Sequence, residues 1–310
     1  MKKVFIDGMA GTTGLRIIDR LAARDDLCVI ALPEEKRKDT GARREALNEA
    51  DVAFLCLPDA AAIEAVSLID NPNTVVLDTS TAHRTNPAWA YGFPELSAAF
   101  EEKIRHAKRI AVPGCHASGF ISLVFPLIEA GILPKDSLLS CCSLTGYSGG
   151  GKKMIAEYSS QERPAAFDAP RQYGIAQTHK HLPEMKAVTG ISHEPAFLPI
   201  VADFYSGMEV TVPLFASQLC SGATAEDIKR AYQAKYTGPI VRYLDDFDEG
   251  GFVSANKLAG KDGMEIGVAG NGERILLIAR YDNLGKGASG AAMECMNIVL
   301  GLNPTTGLLL

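Results

Sequence analysis

The first third of the chain alternates short apolar runs with amphipathic stretches. Four of the runs have the length and the continuous apolar character of strands that are buried on both faces. They lie at 3–7, 27–32, 52–57 and 75–77. Between them, apolar residues recur at the spacing of an amphipathic helix at 15–21, 43–50 and 60–69. The alternation predicts an α/β domain in which helices cover both faces of a parallel sheet.

The pattern changes after residue 115, where longer strand-like runs follow one another with fewer helices between them. These runs lie at 138–144, 208–216 and 275–281. They predict a second, α+β domain with a mainly antiparallel sheet. The small residues of the stretch 285–302 predict a last helix that packs closely against the first domain. We therefore expect one domain made of residues 1–114 and 284–310 and another made of residues 115–283.

The composition is that of a globular protein with a large core, because 47% of the 310 residues are hydrophobic. The formal net charge of −6 comes from interspersed charges, which argues against a nucleic-acid surface or a basic membrane patch. No run reaches the roughly 20 apolar residues of a membrane span, and the first apolar run is too short for a signal peptide. We expect a cytoplasmic protein.

The seven cysteines are an odd number and lie mostly in apolar runs of a chain that is large enough to fold without disulfides. We expect them to be reduced. The chain has no C-x-x-C pair, and His179 and His181 do not have the i, i+4 spacing of a helical metal site. The sequence therefore predicts no bound metal.

A glycine-rich loop follows the first predicted strand and opens the first predicted helix. Gly8, Gly11 and Gly14 form a G-x-x-G-x-x-G pattern, and Thr12 and Thr13 stand at the start of the helix. Backbone N–H groups and the helix dipole bind a pyrophosphate in this context. Because the loop lacks the lysine of an ATP-binding P-loop, it favours a dinucleotide. An ordinary strand-to-helix turn is the alternative.

The end of the second predicted strand carries charges that could select the dinucleotide. Glu34 and Glu35 could hold a ribose hydroxyl, whereas Lys36 and Arg37 could pair with a 2′-phosphate. The two bases favour NADP over NAD. A solvated run of charges without a ligand is the alternative.

Cys115 stands where an apolar strand stops at Pro113 and Gly114 and a helix-periodic stretch begins. A thiol at the N-terminus of a helix is exposed to the positive end of the helix dipole, which stabilises the thiolate. The position favours a catalytic nucleophile. A small buried cysteine with no chemical role is the alternative.

Seven motifs occur in order along nearly the whole chain and together resemble one family. They are the glycine loop, D-T-S-T-A-H-R from residue 78, Y-G-F-P-E-L from 91, P-G-C from 113, G-Y-S-G-G-G-K from 146, H-K-H-L-P-E from 179 and N-L-G-K-G-A from 283. The set resembles the compact branch of the N-acetyl-γ-glutamyl-phosphate reductases. That family belongs to a superfamily that includes aspartate-semialdehyde and glyceraldehyde-3-phosphate dehydrogenases. His116 and Val112 depart from the Tyr and Asn that are common in the family at these positions.

The resemblance implies a small-molecule acyl-phosphate substrate and a catalytic mechanism. Cys115 would attack the acyl phosphate and form a thioester, which NADPH would reduce to the semialdehyde. The H-K-H-L-P-E segment would supply the acid/base, and we favour His181 over His179 because it is nearer the Pro-Glu pair. Alternation along an extended segment would also send the two side chains to opposite sides. Glu184 would orient the ring or bind the substrate.

The resemblance also implies binding residues and an oligomer. The anionic substrate needs cations and backbone donors. The candidates are Arg84, Lys152, Lys180, Ser148 and His179. A flexible turn between two strands is the alternative reading of the glycine run after Ser148. Ser80, Asn283 and Gly285 would contact the cofactor. The second domain's sheet would form a homodimer or homotetramer.

Three other functions compete with this one. An aspartate-semialdehyde-type or aminoadipyl-type reductase would use the same chemistry on a different substrate. A Cys-His hydrolase would leave the dinucleotide loop without a role. A non-catalytic NADP-binding sensor would leave the thiol and the imidazole without one.

Overall fold

The computed structural model describes residues 1–9 and 11–310, so that Ala10 of the predicted glycine loop lies outside the described residues. The chain divides into two compact units. We call Met1–Gly114 with Ala288–Leu308 the nucleotide-side unit and Cys115–Gly287 with Leu309–Leu310 the central unit.

A six-stranded sheet forms the middle of the nucleotide-side unit. Its strands are β1 (Lys2–Asp7), β2 (Leu27–Ile30), β3 (Val52–Leu55), β4 (Val75–Asp78), β5 (Ala90–Tyr91) and β6 (Arg109–Ala111). Their order is β2-β1-β3-β4-β6-β5, and all neighbouring pairs are parallel. Every residue of β3 and β4 is buried, whereas only Leu27 of β2 is, because β2 lies at the edge of the sheet.

Helices cover both faces of this sheet. In chain order, the first four are α1 (Thr12–Leu21), α2 (Thr40–Glu49), α3 (Asp59–Ser67) and α4 (Ala98–His106). Val4 and Ile6 of β1 belong to one apolar cluster with α1 and α4, while Phe5, between them, belongs to another with α2 and α3. Because successive side chains of a strand point to opposite faces, the two clusters are the two sides of the sheet. The predicted doubly covered parallel sheet is confirmed.

A seven-stranded mixed sheet forms the middle of the central unit. Its strands are β7 (Ser140–Gly146), β8 (Arg171–Gln172), β9 (Ala196–Ala202), β10 (Met208–Phe215), β11 (Val241–Tyr243), β12 (Met264–Gly270) and β13 (Arg274–Tyr281). Their order is β11-β12-β13-β10-β7-β9-β8. The pairs β11·β12 and β7·β9 are parallel, and the other four are antiparallel. The predicted mainly antiparallel sheet is confirmed.

The central unit also contains α-helices. They are α5 (Cys115–Glu129), α6 (Gly151–Ser159), α7 (Leu182–Thr189) and α8 (Ala225–Lys235). Helix α5 lies against β10 and β13 and is buried over most of its length, so that the residue at its first position is held by a rigid element.

The last predicted helix is divided into two pieces. Gly285–Ser289 forms a short π-helical turn, and α9 (Gly290–Val299) follows it. Ala291 and Ala292 of α9 join the apolar cluster of α1 and α4. Their small side chains let the helix lie close to the parallel sheet, as the sequence predicts.

Candidate active site

The glycine loop is shaped by close contacts of its backbone. Gly8 has a φ of +83°, and a Cβ atom there would lie 2.3 Å from the carbonyl oxygen of Cys56. A Cβ atom at Gly14 would lie 2.9 Å from the Gly8 oxygen. Helix α1 begins at Thr12 after Gly11, and no described side chain caps it. The glycines therefore leave backbone N–H groups without side chains beside them at the N-terminus of α1, and this arrangement suits a phosphate.

A cavity of about 490 Å³ opens beside this loop, within the nucleotide-side unit. Gly8 lines it together with the charged turn after β2. Of the two predicted bases, Arg37 lines the cavity. Lys36 is not among the described residues that line it, whereas Lys38 is. The pair of bases that lines the cavity lies one residue later than the predicted pair, because residues 34–36 form a 3-10 turn that sequence periodicity does not reveal.

Arg43 also borders the cavity, but two carboxylates already hold it. Its guanidinium lies 3.0 Å from Asp7 and 3.1 Å from Glu64. Burial raises the pKa of Asp7, against the opposing effect of Arg43. Arg37 and Lys38, both exposed, are therefore the cations of the cavity that best suit an added phosphate.

Ser80 and Arg84 hold the loop that follows β4. The Ser80 hydroxyl donates to Asp78 at 2.7 Å, and the ring of His83 approaches the same carboxylate at 2.6 Å. Arg84 donates to the carbonyl oxygens of Val112 and Thr79, each at 2.9 Å. Both predicted site residues thus order the backbone of the nucleotide-side unit.

Cys115 is the first residue of α5 and is partly exposed. The negative charge of a Cys115 thiolate affects two tyrosines of the central unit. Burial is the main cause that raises the pKa of Tyr173 and of Tyr281, and the charge of Cys115 is the second cause. The nucleophile candidate therefore lies at the end of a buried helix with phenols nearby, and neither tyrosine had a signal in the sequence.

His116, which the sequence left without a role, lies at the centre of a buried cluster. Its Nδ1 lies 2.6 Å from the Ser143 hydroxyl and its Nε2 lies 2.7 Å from the Tyr173 hydroxyl. Burial, followed by the charges of His179 and Lys180, lowers the pKa of His116 to about 3. The ring is therefore neutral near pH 7.

This buried imidazole predicts a pH-dependent stability. His116 has an ordinary pKa of 6.5 when unfolded and one of about 3 when folded, so its contribution is complete above pH 6.5 and is lost as the pH falls towards 3. We expect this residue to lower the free energy of unfolding by roughly 1 kcal/mol between about pH 7.5 and pH 5.5. Urea unfolding at both pH values measures it.

His116→Gln should remove that part of the pH dependence. His106→Gln, which changes an exposed histidine on α4, should keep it. An equal pH dependence in both variants would contradict the expected effect of burial.

His179 and His181 lie on the same side of their segment. Their ring centroids are 4.8 Å apart, and they lie 5.6 Å and 5.5 Å from the His116 ring. The expectation of opposite sides is wrong because the segment is a turn rather than extended chain: the Leu182 N–H donates to the His179 carbonyl oxygen at 3.0 Å.

The environments of the two histidines differ. His181 is buried, whereas His179 is half-buried, and burial and the charge of Lys180 lower the pKa of His179. Glu184 is buried in the first turn of α7. The structure thus brings both histidine candidates to the ring of His116, the neighbour of Cys115 in the chain.

The glycine run after Ser148 begins a helix and does not join two strands. Tyr147–Gly150 forms a 3-10 turn, α6 starts at Gly151, and Lys152 is exposed in its first turn. The alternative of a flexible turn between strands is therefore wrong, because the residues after the run continue as an α-helix.

Ser148 and Asn283 are bonded to each other within the central unit. The Asn283 amide donates to the Ser148 hydroxyl at 3.0 Å and accepts from the Gly207 N–H at 2.9 Å. A Cβ atom at Gly285 would lie 2.0 Å from the carbonyl oxygen of Lys261, so this position requires glycine. These predicted contact residues thus also fix neighbouring backbone.

Residues 1–9 and 11–310 contain no group of three or more His, Cys, Asp or Glu side chains that could hold a metal ion. None of the helices in this described part is long and apolar enough to cross a membrane.

Sequence comparison places both parts of the chain among semialdehyde dehydrogenases. The family described as "Semialdehyde dehydrogenase, NAD binding domain" matches residues 3–106, and "Semialdehyde dehydrogenase, dimerisation domain" matches residues 115–283. The chain is 45% identical to N-acetyl-gamma-glutamyl-phosphate reductase of Rhizobium meliloti over 305 residues, 96% of this chain and 98% of the relative. It is 45% identical to the Brucella ovis enzyme of the same name over 306 residues, 96% and 99% of the two chains.

Solved structures show the same fold at low sequence identity. Aspartate semialdehyde dehydrogenase II of Vibrio cholerae superposes with a TM-score of 0.72 at 16% identity, covering 97% of this chain and 98% of that one. The Candida albicans aspartate semialdehyde dehydrogenase, solved with NADP, superposes with a TM-score of 0.66 at 15% identity, covering 97% and 98%.

Proposed function

Because the chain belongs to the N-acetyl-γ-glutamyl-phosphate reductase family, we propose that it reduces N-acetyl-glutamyl 5-phosphate to the 5-semialdehyde. The reaction uses NADPH, releases phosphate and serves arginine biosynthesis. The observation that carries the proposal is the partly exposed Cys115 at the start of the buried helix α5, next in the chain to the buried histidine cluster. An aspartate-semialdehyde-type substrate is less well supported, because the relatives with that name share only the fold.

Cys115 performs the covalent step. Its thiolate attacks the acyl carbon, a C–S bond forms, the C–O bond to phosphate breaks, and phosphate leaves with the bonding electron pair. The helix N-terminus favours the thiolate before the attack, and it favours the same thiolate as the leaving group after reduction. One residue thus serves both halves of the reaction.

The imidazole of His181 is the general acid and base that transfers protons to and from Cys115 and the substrate. It accepts the Cys115 proton before the attack and donates one to the carbonyl oxygen as that oxygen gains charge during reduction. It takes this proton back when the C–S bond breaks and the aldehyde and the thiolate form. The neutral ring of His116 lies beside the ring of His181, with 5.5 Å between the two ring centroids. His179 is the second candidate for this role, because its ring is more exposed than that of His181 and is therefore easier for a substrate to reach.

We propose that the cofactor binds in the cavity of the nucleotide-side unit. Gly8, Gly11 and Gly14 would hold the pyrophosphate at the start of α1, where Thr12 and Thr13 add hydroxyls. Arg37 and Lys38 would pair with a 2′-phosphate. Bound NADPH supplies the hydride that reduces the thioester carbonyl.

The remaining predicted residues complete the substrate site in this proposal. Lys152, exposed at the start of α6, offers a cation beside the backbone N–H groups of that helix. It would bind a carboxylate or phosphate of the substrate.

We propose a cytoplasmic homodimer formed by the open face of the central unit's sheet. Phe215 and Leu276 are 56% and 37% exposed and lie on one face of β10 and β13, where Pro213 pairs with Leu276. Large apolar side chains on an open sheet face are typical of a protein interface. The match to a dimerisation domain supports this assignment.

An assay in the reverse direction tests the function. The protein is given N-acetyl-glutamate semialdehyde, phosphate and NADP, and the absorbance of the reduced nicotinamide is followed, with aspartate semialdehyde and NAD in parallel. Phosphate-dependent reduction of NADP with the acetylated substrate alone is the expected result. Turnover with aspartate semialdehyde alone would replace the proposed substrate, and turnover without phosphate would show that phosphate is not the acyl acceptor.

Charge removal at the cavity should change cofactor preference. Arg37→Ala and Lys38→Ala each remove a cation from the wall beside the proposed 2′-phosphate. We expect each change to raise KM for NADPH about 10-fold and to leave KM for NADH within about twofold, because a charge-assisted hydrogen bond contributes about 1.5–3 kcal/mol. Initial rates with both cofactors measure the effect.

Lys36→Ala is the matched control, since it removes a neighbouring charge that is not among the cavity's described lining residues. If this variant loses NADPH affinity and the other two do not, the 2′-phosphate is bound by a different part of the charged turn.

A further inference from the structure

Tyr281, at the end of β13, reaches the first turn of α5. Its side chain is wholly buried, and its hydroxyl donates to the carbonyl oxygen of Cys115 at 2.5 Å. The same hydroxyl accepts from the N–H of Gly119 at 3.0 Å. In an α-helix, the carbonyl of residue i and the N–H of residue i+4 bond to each other, and Cys115 and Gly119 are such a pair. The phenol therefore bridges the two groups that close the first turn.

The bridge depends on a close approach of helix and sheet. A Cβ atom at Gly119 would lie 2.7 Å from the Tyr281 hydroxyl and 2.6 Å from a methyl group of Val210. Only glycine leaves room for both neighbours. Since both partners of the bridge belong to tightly packed elements, the contact is rigid.

The chain that follows β13 makes a second contact with the same residue. A Cβ atom at Gly287 would lie 3.1 Å from the Cβ atom of Cys115, so the Gly287 backbone lies directly against that side chain. Segment 281–287 thus holds Cys115 at its carbonyl group and at its side chain.

We propose that Tyr281 is a positioning residue for the Cys115 nucleophile, assisted by Gly287. The bridging hydroxyl fixes the peptide group of Cys115 and therefore the direction in which its Cα–Cβ bond leaves the helix. The Gly287 backbone limits the side chain from another direction. This inference rests on the proposed role of Cys115. It adds Tyr281, which lies outside every motif, and it gives a role to Gly287, which belongs to the motif that begins at residue 283.

The protonation state of the phenol suits this role. Burial and then the charge of Cys115 raise the pKa of Tyr281, so that the hydroxyl keeps its proton when the thiolate forms. The donor to the Cys115 carbonyl is therefore present throughout the reaction.

Tyr281→Phe tests the proposal, with Tyr236→Phe as the matched control. Tyr236 is also buried, and its hydroxyl donates to a carbonyl of the same helix, that of Ser122, at 2.5 Å. Both variants lose a buried hydroxyl that is hydrogen-bonded to α5, but only Tyr281→Phe loses a bond at Cys115. We measure kcat, KM and, without substrate, the rate of iodoacetamide alkylation of the Cys115 peptide by mass spectrometry.

We expect Tyr281→Phe to lower kcat about 10- to 100-fold with KM within about twofold, since a displacement of about 1 Å at a reacting group has effects of this size. Alkylation of Cys115 near pH 7 should slow at least about threefold, because the thiolate loses its alignment with the helix N-terminus. Tyr236→Phe should leave kcat and alkylation within about twofold of the unmodified protein, as expected when only stability changes.

Equal kcat and equal alkylation in the two variants would overturn the proposal. If Tyr281→Phe does not fold, Gly287→Ala takes its place: the new methyl group presses on Cys115, and an unchanged kcat would likewise overturn it. Failure of the proposed function is separate: the unmodified protein would then show no phosphate-dependent reduction of NADP, while the alkylation rates would still report on Tyr281.

Discussion

We expect Cys115→Ser to lower the rate of turnover roughly 10³-fold or more, while the protein still folds and binds NADPH. A serine hydroxyl is not appreciably ionised near pH 7, so that it lacks the nucleophile that the helix N-terminus stabilises in the thiol. It is also a poor leaving group when the reduced intermediate collapses. The change is small and lies at a partly exposed helix start, where serine is well tolerated.

Steady-state rates in both directions and NADPH fluorescence titration measure this effect. Cys220→Ser, a change at another partly exposed cysteine of the central unit, is the control and should keep full activity. Residual turnover in Cys115→Ser above about a tenth of the unmodified rate would refute covalent catalysis at this position. A matched loss in both variants would indicate damage to the fold instead.

His181→Asn should lower the rate by roughly 10² to 10⁴, the usual range for loss of a general acid/base. Asparagine keeps the approximate size of the ring but cannot take up a proton near pH 7. The effect should appear in kcat with KM for the semialdehyde changed much less, and the pH-rate profile should lose the limb that the imidazole provides.

His179→Asn is the matched variant, because the two rings lie 4.8 Å apart and share His116 as a neighbour. We expect its rate to stay within about 10-fold of the unmodified protein, the range of a binding contact rather than a proton-transfer group. If His179→Asn is the more damaging change, the acid/base role moves to His179, whose half-exposed ring has freer access to a substrate.

The sequence predicted the features that depend on residues close together in the chain. The alternation of apolar runs predicted the doubly covered parallel sheet, and the strand break before Cys115 predicted a cysteine at a helix start, where α5 begins. Both are local patterns, since strand and helix periodicities are properties of about ten consecutive residues. The order of the motifs was sufficient to indicate the family.

The tertiary structure decided how distant residues meet. Tyr281 and Cys115 are 166 positions apart in the chain and meet because α5 packs on β13. His116 becomes neutral through burial against Ser143 and Tyr173, which no local pattern indicates. A single turn before α7 places His179 and His181 on the same side, contrary to the alternation of an extended chain.

The division has one physical cause. Periodicity is encoded in the covalent neighbours of each residue, so the sequence by itself determined the alternating strands and helices of the first third of the chain and the position of the thiol at a helix start. Burial, hydrogen-bond partners and the direction of a side chain depend on which surfaces pack together. Only the tertiary structure could therefore decide the protonation of the histidine cluster and the tyrosine that holds the nucleophile in place.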